Sequence, residues 1–276
     1  MYNYYTKLVS GILAVIVFSF TACQKQPVGK RIVMEGSTTV LPIAQKTAEM
    51  FMKLHPEVEI SVRGGGSGVG ITSLIEGTCD IANSSRAMEP VEIEKAQTKG
   101  KKPISHIVAI DGIAVIVHPS NKVGNLTKKQ LRDIYTGKLS DWSEVGGSKQ
   151  KIVVISRDSA SGTFEAFGKL ALGEKKVRPD ALMQASNKVV AGVVATTPGA
   201  IGYIGLGYVS SKVKLLAVDM IRADRKNIAS GKYLLARELY MYTDGEPKGV
   251  VKDFIDFVLS PEGQKLVEEE GYVTVR

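Results

Sequence analysis

Two periodicities take turns along the chain: polar–apolar alternation, the period of a strand, and apolar residues recurring every three or four positions, the period of a helix. Arg31 to Glu35 reads as a first strand. The turn Gly36-Ser37-Thr38-Thr39 then leads into a helix with Pro42 in its first turn, Ile43, Thr47, Phe51 and Leu54 on one face, and His55-Pro56 as its stop. Val58 to Val62 alternates again, and the loop Gly64 to Gly68 opens a second helix that ends near Gly77. A strand from Asp80 to Asn83 and a helix from Glu89 to Thr98 follow.

Ile104 to Val117 is long and largely apolar. It reads as a buried strand crossing between two lobes, with an interruption at Asp111-Gly112. A helix from Leu126 to Tyr135 is capped by Thr127 and closed by Gly137. Strands over 152–156, 201–204, 213–218 and 234–242 alternate with helices opening at Ser161-Gly162-Thr163 and spanning 187–196. Two helices, 250–259 and 261–270, complete the pattern. This order predicts an α/β fold of two lobes, each a mixed sheet flanked by helices. The first lobe is expected over 31–110 plus 223–276, the second over 111–222, with a ligand cleft between them.

The N-terminus follows another rule. Lys7 supplies a positive start, and Leu8 to Phe20 is an apolar run short for a membrane span. It ends in Phe20-Thr21-Ala22-Cys23, which resembles the cleavage box of a bacterial lipoprotein, with Phe where Leu is usual. Residues 1–22 are therefore expected to be a signal peptide, Cys23 the lipidated residue, and 23–30 a tether that anchors an extracytoplasmic protein to a membrane. With Cys23 lipidated, Cys79 has no disulfide partner and reads as a small buried filler.

The net charge of +8 admits nucleic acid, an anionic membrane or an anionic small ligand as partner. Lysines occur only in short pairs such as Lys101-Lys102, no basic stripe interleaves with aromatics, and no nucleic-acid partner is expected. Four segments share a different design, in which a strand ends, small hydroxyl or glycine residues follow, and a helix begins. They are Gly36 to Thr39, Gly64 to Gly68, Ser84-Ser85-Arg86, and Arg157 to Thr163. A helix start offers unpaired N–H groups and partial positive charge; glycine lets the backbone approach a ligand, and hydroxyls add donors. Arg157 can hold a tetrahedral oxyanion with two parallel N–H donors, which an ammonium cannot.

With Asp80 to Arg86, Asp111 to Val117 and Leu126 through Trp142, these segments resemble the phosphate-binding proteins of Pst-type phosphate ABC transporters, in their shorter form. The resemblance implies a type II-like periplasmic-binding-protein fold, phosphate held between the lobes, and delivery to a permease with cytoplasmic ATPase subunits. By position it implies donors from Ser37, Thr38, Thr39, Ser67 and Ser85 on one side and Arg157, Ser161, Gly162 and Thr163 on the other. Some relatives carry an aspartate that accepts the phosphate proton where this chain has Ser85. Asp111 is the expected replacement, with Asp158 as alternative.

Physics alone specifies a tetrahedral oxyanion, so sulfate, molybdate and tungstate remain rival cargoes, and a non-transport surface lipoprotein retaining the fold remains a rival role. Catalysis is not expected: Ala160-Ser161-Gly162 lacks the nucleophile-elbow pattern, and His55, His106 and His118 have no metal-ligand spacing. Neither metal nor cofactor is expected, and the chain is expected to be a monomer.

Overall fold

The computed structural model describes residues 30–275, so the leader, Cys23 and most of the tether lie outside the described residues. The chain opens with strand β1 (Lys30–Gly36), helix α1 (Leu41–Leu54), β2 (Val58–Gly64), α2 (Ser67–Glu76), β3 (Ile81–Ser84) and α3 (Pro90–Thr98). The long strand β4 (Pro103–Val117) leads to β5 (Asn125–Leu126), α4 (Lys128–Tyr135), β6 (Val153–Arg157), α5 (Gly162–Phe167), β7 (Leu182–Gln184), α6 (Asn187–Thr196) and β8 (Ala200–Gly205). Short strands β9 (Lys214–Leu215), β10 (Ala217–Val218) and β11 (Ile221–Arg222) and helix α7 (Arg225–Ala229) precede β12 (Ala236–Asp244), α8 (Gly249–Leu259) and α9 (Pro261–Glu269).

One sheet, ordered β2-β1-β3-β12-β4-β8-β6-β7, runs through the molecule. β1, β2 and β3 are parallel, and β12 runs antiparallel between β3 and β4. Up to Gly112, β4 pairs with β12; from Ile113 onward it pairs with β8. The interruption expected at Asp111-Gly112 is thus a change of partner and not a break. An Asp-Gly pair turns when its peptide groups lack neighbours, whereas here β12 on one side and β8 on the other complete the ladder.

The change of partner separates two apolar cores. Ile32, Met34, Ile43, Phe51, Leu239 and Phe254 pack on one face of the first part of the sheet, and Ile71, Leu74 and Met88 cover its other face. In α1, Ile43, Thr47 and Phe51 are buried as the helical spacing predicts, whereas Leu54, in the last turn, is exposed. The second core joins Val115, Tyr135, Trp142, Phe167, Val190 and Tyr203, with Phe167 and Tyr203 stacked 4.0 Å apart. The stretch from about 223, expected to rejoin the first lobe, first contributes Ala223, Ile228, Tyr233 and Leu235 to the second core and re-enters the first lobe with β12. Strand 213–218 is two short pieces, β9 and β10, which pair with β4 and β5 respectively.

The helices sit close enough to the sheet for side-chain size to matter at single atoms. A Cβ on Gly70 of α2 would lie 2.4 Å from the Glu35 carbonyl oxygen and 2.7 Å from the Gly36 Cα. Gly70→Ala should therefore lift α2 off β1 and destabilise the protein by about 1–3 kcal/mol, read as a lower urea midpoint at unchanged slope. Cys79 is buried, and burial, with Glu35 and Asp80 nearby, pushes its thiol up to about 12. In a Cys23→Ser chain the folded protein should resist a chromogenic thiol reagent that labels the unfolded chain at once. The unfolded thiol ionises near about pH 8.5. A raised native value therefore contributes stability below that pH and loses it as pH rises from there toward 12, so alkaline melting should flatten in Cys79→Ala.

Candidate functional site

The loops that follow β1, β2, β3 and β6 converge where β4 changes partner. Ser37 and Thr39 are buried before α1; the Ser37 hydroxyl accepts the Thr39 and Val40 N–H groups at 3.1 and 3.4 Å. This uses the Ser37 hydroxyl to close the turn that leads into α1 but leaves its O–H free to donate. Ser67 opens α2; its hydroxyl lies 3.3 Å from that of Ser85 and accepts the Ser85 N–H at 3.0 Å. No helix begins at Ser85, contrary to the pattern inferred for that segment, because the chain runs on to Pro90 before α3 starts. The Arg86 side chain instead pairs with Glu92 and lies against the Glu165 carboxylate.

From the other lobe, Ser161 caps α5 by accepting the Phe164 N–H at 3.2 Å, and Gly162 and Thr163 follow, both buried. A Cβ on Gly162 would lie 2.3 Å from Ser67 Oγ and 2.8 Å from Ser85 Oγ. Only the absence of a side chain lets α5 approach these two serines. The lobes touch again where Gly68 N–H donates to the Ala160 carbonyl at 3.1 Å.

Three polar residues that the sequence reading did not select complete the cluster. Asn187, at the start of α6, donates from Nδ2 to Thr38 Oγ1 at 3.2 Å and to Thr39 Oγ1 at 2.9 Å, while its Oδ1 accepts the Gly205 N–H. Arg237, in β12, donates from Nη2 to Thr39 Oγ1 at 3.2 Å and to Thr163 Oγ1 at 3.0 Å. Tyr208 donates to the Thr38 carbonyl at 2.6 Å. Arg237 Nη2 carries two hydrogens and one of them faces Asp111 Oδ2, so Thr39 and Thr163 share the other; their hydroxyls lie 3.0 Å apart, and either can donate to the other. Neither Asn187 nor Arg237 belongs to a loop motif. A signal was nevertheless present: Arg237 shares the buried face of β12 with Leu239 and Met241, and Asn187 shares the buried face of α6 with Val190 and Val194.

Arg157, at the end of β6, is 1 % exposed. Its Nε and Nη2 donate to the Gln184 and Ala185 carbonyls, both at 3.0 Å, while Nη1 has no partner among the described residues. Burial pulls its pKa below the ordinary arginine range; Asp158 opposes this and nearby Arg237 adds to it. Asp158 forms no salt bridge with Arg157 among the described residues; its carboxylate accepts the Ala160 N–H. Asp111 is fully buried at the change of partner. Its Oδ2 accepts from Arg237 Nε at 3.1 Å and Nη2 at 2.9 Å, and its Oδ1 accepts the Leu206 N–H at 2.8 Å. Burial raises the Asp111 carboxyl pKa, against the pull of Arg237 and the Leu206 N–H.

Of the expected residues, Thr38, Thr39, Asp111 and Thr163 share one hydrogen-bonded network with Asn187 and Arg237; Ser67 and Ser85 bond each other against Gly162; Ser37 and Ser161 are buried in the same loops, and Arg157 is buried with Arg237 nearby. Among the described residues Asp111 is the one carboxylate of these groups in a buried ion pair, and both of its oxygens are occupied. Such a site is suited to holding an anion that arrives with acceptors on every side. Among the described residues no cluster of three or more His, Cys, Asp or Glu side chains could hold a metal ion.

Known proteins match this arrangement over most of its length. A model of the PBP superfamily domain matches residues 21–262. The phosphate-binding protein PstS of Bacillus subtilis (strain 168) is 36% identical over 244 residues, covering 88% of this chain and 80% of that protein. Its counterpart from Borreliella burgdorferi is 34% identical, covering 92% and 93%. A crystal structure from Clostridium perfringens, of a putative phosphate ABC transporter substrate-binding protein with bound phosphate, superposes with a TM-score of 0.84 at 34% identity, covering 90% of this chain and all of that one. This chain therefore belongs to the PBP superfamily and, within it, to the PstS family of phosphate-binding proteins.

Proposed function

We propose that this protein captures inorganic phosphate between its lobes outside the cytoplasm and delivers it to an ABC importer, acting as a binder without catalysis. The observation that carries this reading is the buried guanidinium of Arg157, held by two carbonyls with no carboxylate partner and one nitrogen unengaged among the described residues. A buried cation without counter-charge is costly, and an oxyanion in the cleft would relieve it. Ser37, Thr38, Thr39, Ser67, Ser85, Ser161, Gly162 and Thr163 would supply the remaining donors. The relatives' names favour phosphate over sulfate, molybdate or tungstate.

Capture requires closure, in which 31–110 with 236–276 would move against 111–235. Ion pairs span the cleft mouth, from Arg86 to Glu165 and from Lys169 to Glu89, the latter at 2.6 Å, and would favour the closed state. A permease with its ATPase would then read that state. Anchoring would come from lipidated Cys23, after cleavage of the 1–22 leader. Among the described residues no helix is long and apolar enough to cross a membrane.

The deciding experiment is calorimetric titration of phosphate into the mature Cys23→Ser chain, repeated in excess sulfate. Tight binding that sulfate leaves unchanged is the expected outcome; silence with phosphate, or an equal response to sulfate, overturns the cargo. Arg157→Ala should weaken phosphate at least about 100-fold, since hydrogen bonds to charged groups contribute about 1.5–3 kcal/mol each. Gly162→Ala should hold the lobes apart, because its methyl would meet both Ser67 and Ser85. Small-angle scattering should then show no compaction on adding phosphate, while the ligand-free chain melts as the parent does.

A further inference from the structure

We propose that Arg237 is a second guanidinium for the bound anion, and that Asp111 acts through it as a positioning residue and does not take the ligand's proton. The inference rests on the phosphate reading above and extends it to residues outside the loop motifs.

Arg237 and Arg157 are both buried, and each keeps an Nη1 without a hydrogen-bond partner among the described residues. The two arrive from different elements, Arg157 from the end of β6 in the second lobe and Arg237 from β12, beside the point where β4 changes lobe. Arg237 already touches both lobes, since its Nη2 donates to Thr39 and to Thr163. These are the hydroxyls that sit between α1 and α5, so a ligand held by them lies within reach of the same guanidinium. Among the described residues nothing anionic balances both arginines: Asp111 is the only carboxylate there within ion-pair distance of either, and it pairs with Arg237 alone. Two buried cations and one carboxylate leave an excess positive charge that an oxyanion would neutralise.

The geometry of the pair explains why Asp111 is the weaker candidate for a ligand contact. Arg237 and Asp111 lie opposite each other in the β12–β4 ladder, so their backbones set the pairing. Nε and Nη2 together face Asp111 Oδ2, and because a guanidinium is planar this turns Nη1 to the opposite side. The Leu206 N–H takes Oδ1 and stops the carboxylate rotating. An oxygen that accepts two guanidinium donors, beside one that accepts a backbone donor, is poorly placed to accept the proton of hydrogen phosphate as well. Its evident effect is to aim Arg237.

The test is phosphate calorimetry on four mature Cys23→Ser chains: the parent, Arg237→Gln, Asp111→Asn, and the last two combined, each checked for a native circular dichroism spectrum. Arg237→Gln is expected to weaken phosphate at least about 30-fold. Asp111→Asn is expected to weaken it about 10-fold in the parent and no more than about twofold once Arg237 is gone, since a residue acting through another has nothing left to position. A direct contact of Asp111 with the ligand would instead keep its loss in the Arg237→Gln background. The combined variant removes both buried charges together, so it carries the comparison with the parent if Arg237→Gln alone fails to fold. A folded Arg237→Gln or combined variant binding within about twofold of the parent overturns the second guanidinium and leaves phosphate as cargo. An equal loss from Asp111→Asn in both backgrounds overturns the positioning role. A parent silent to phosphate removes the cargo reading and this inference with it.

Discussion

Strand β4 gives its first part to the sheet of one lobe and its last part to the sheet of the other, so the two halves of the molecule share one backbone. A ladder needs a partner for every peptide group, and at the crossover those partners come from different lobes on either side of Gly112. Whatever sits at that residue pair is therefore surrounded by both lobes at once. Asp111 sits there, fully buried, and Arg237 faces it from β12. The ion pair is held in place by sheet register, which is why its polar atoms can reach Thr39 on one side and Thr163 on the other.

The chemistry of the cleft follows from an imbalance. Its hydroxyls accept from N–H groups and thereby become donors themselves, its one ion-paired carboxylate is spoken for, and two guanidinium nitrogens stay unengaged among the described residues. Water would satisfy such groups in the open state. A closed cleft excludes water, so closure without an anion leaves donors buried and unmatched, whereas closure around one matches them. On the proposed function, ligand binding and lobe movement would be one equilibrium, which the rim pairs Arg86–Glu165 and Lys169–Glu89 would adjust.

Contacts between distant segments demand small residues as much as polar ones. Gly162 meets the two serines of the opposite lobe, and Gly70 lets α2 rest on the strand that ends at Gly36. In both places the close approach brings a loop end to the cleft. The aromatic residues serve the other end of the same purpose: Tyr203 stacks on Phe167 in the second core while its hydroxyl accepts the Arg157 N–H, tying the position of the arginine backbone to apolar packing.

Much of this was legible along the chain because it is governed by neighbours in sequence. Period and capping residues determined the alternation of strands and helices, the place of Pro42 in the first turn of α1, the Thr127 cap of α4, and the Ser161-Gly162-Thr163 opening of α5. Hydroxyl and glycine loops beside Arg157 marked a candidate oxyanion site for the same local reason. Only the tertiary structure decided that Asp111-Gly112 would continue a strand, that Ser85 would face the cleft without a helix behind it, and that Arg237 and Asn187 would complete the cluster. Each of these depends on which distant strand or helix supplies the missing hydrogen bonds. A strand arginine looks the same in sequence whether its partner across the sheet is a carboxylate or water; pairing β12 with β4 is what places Asp111 opposite Arg237.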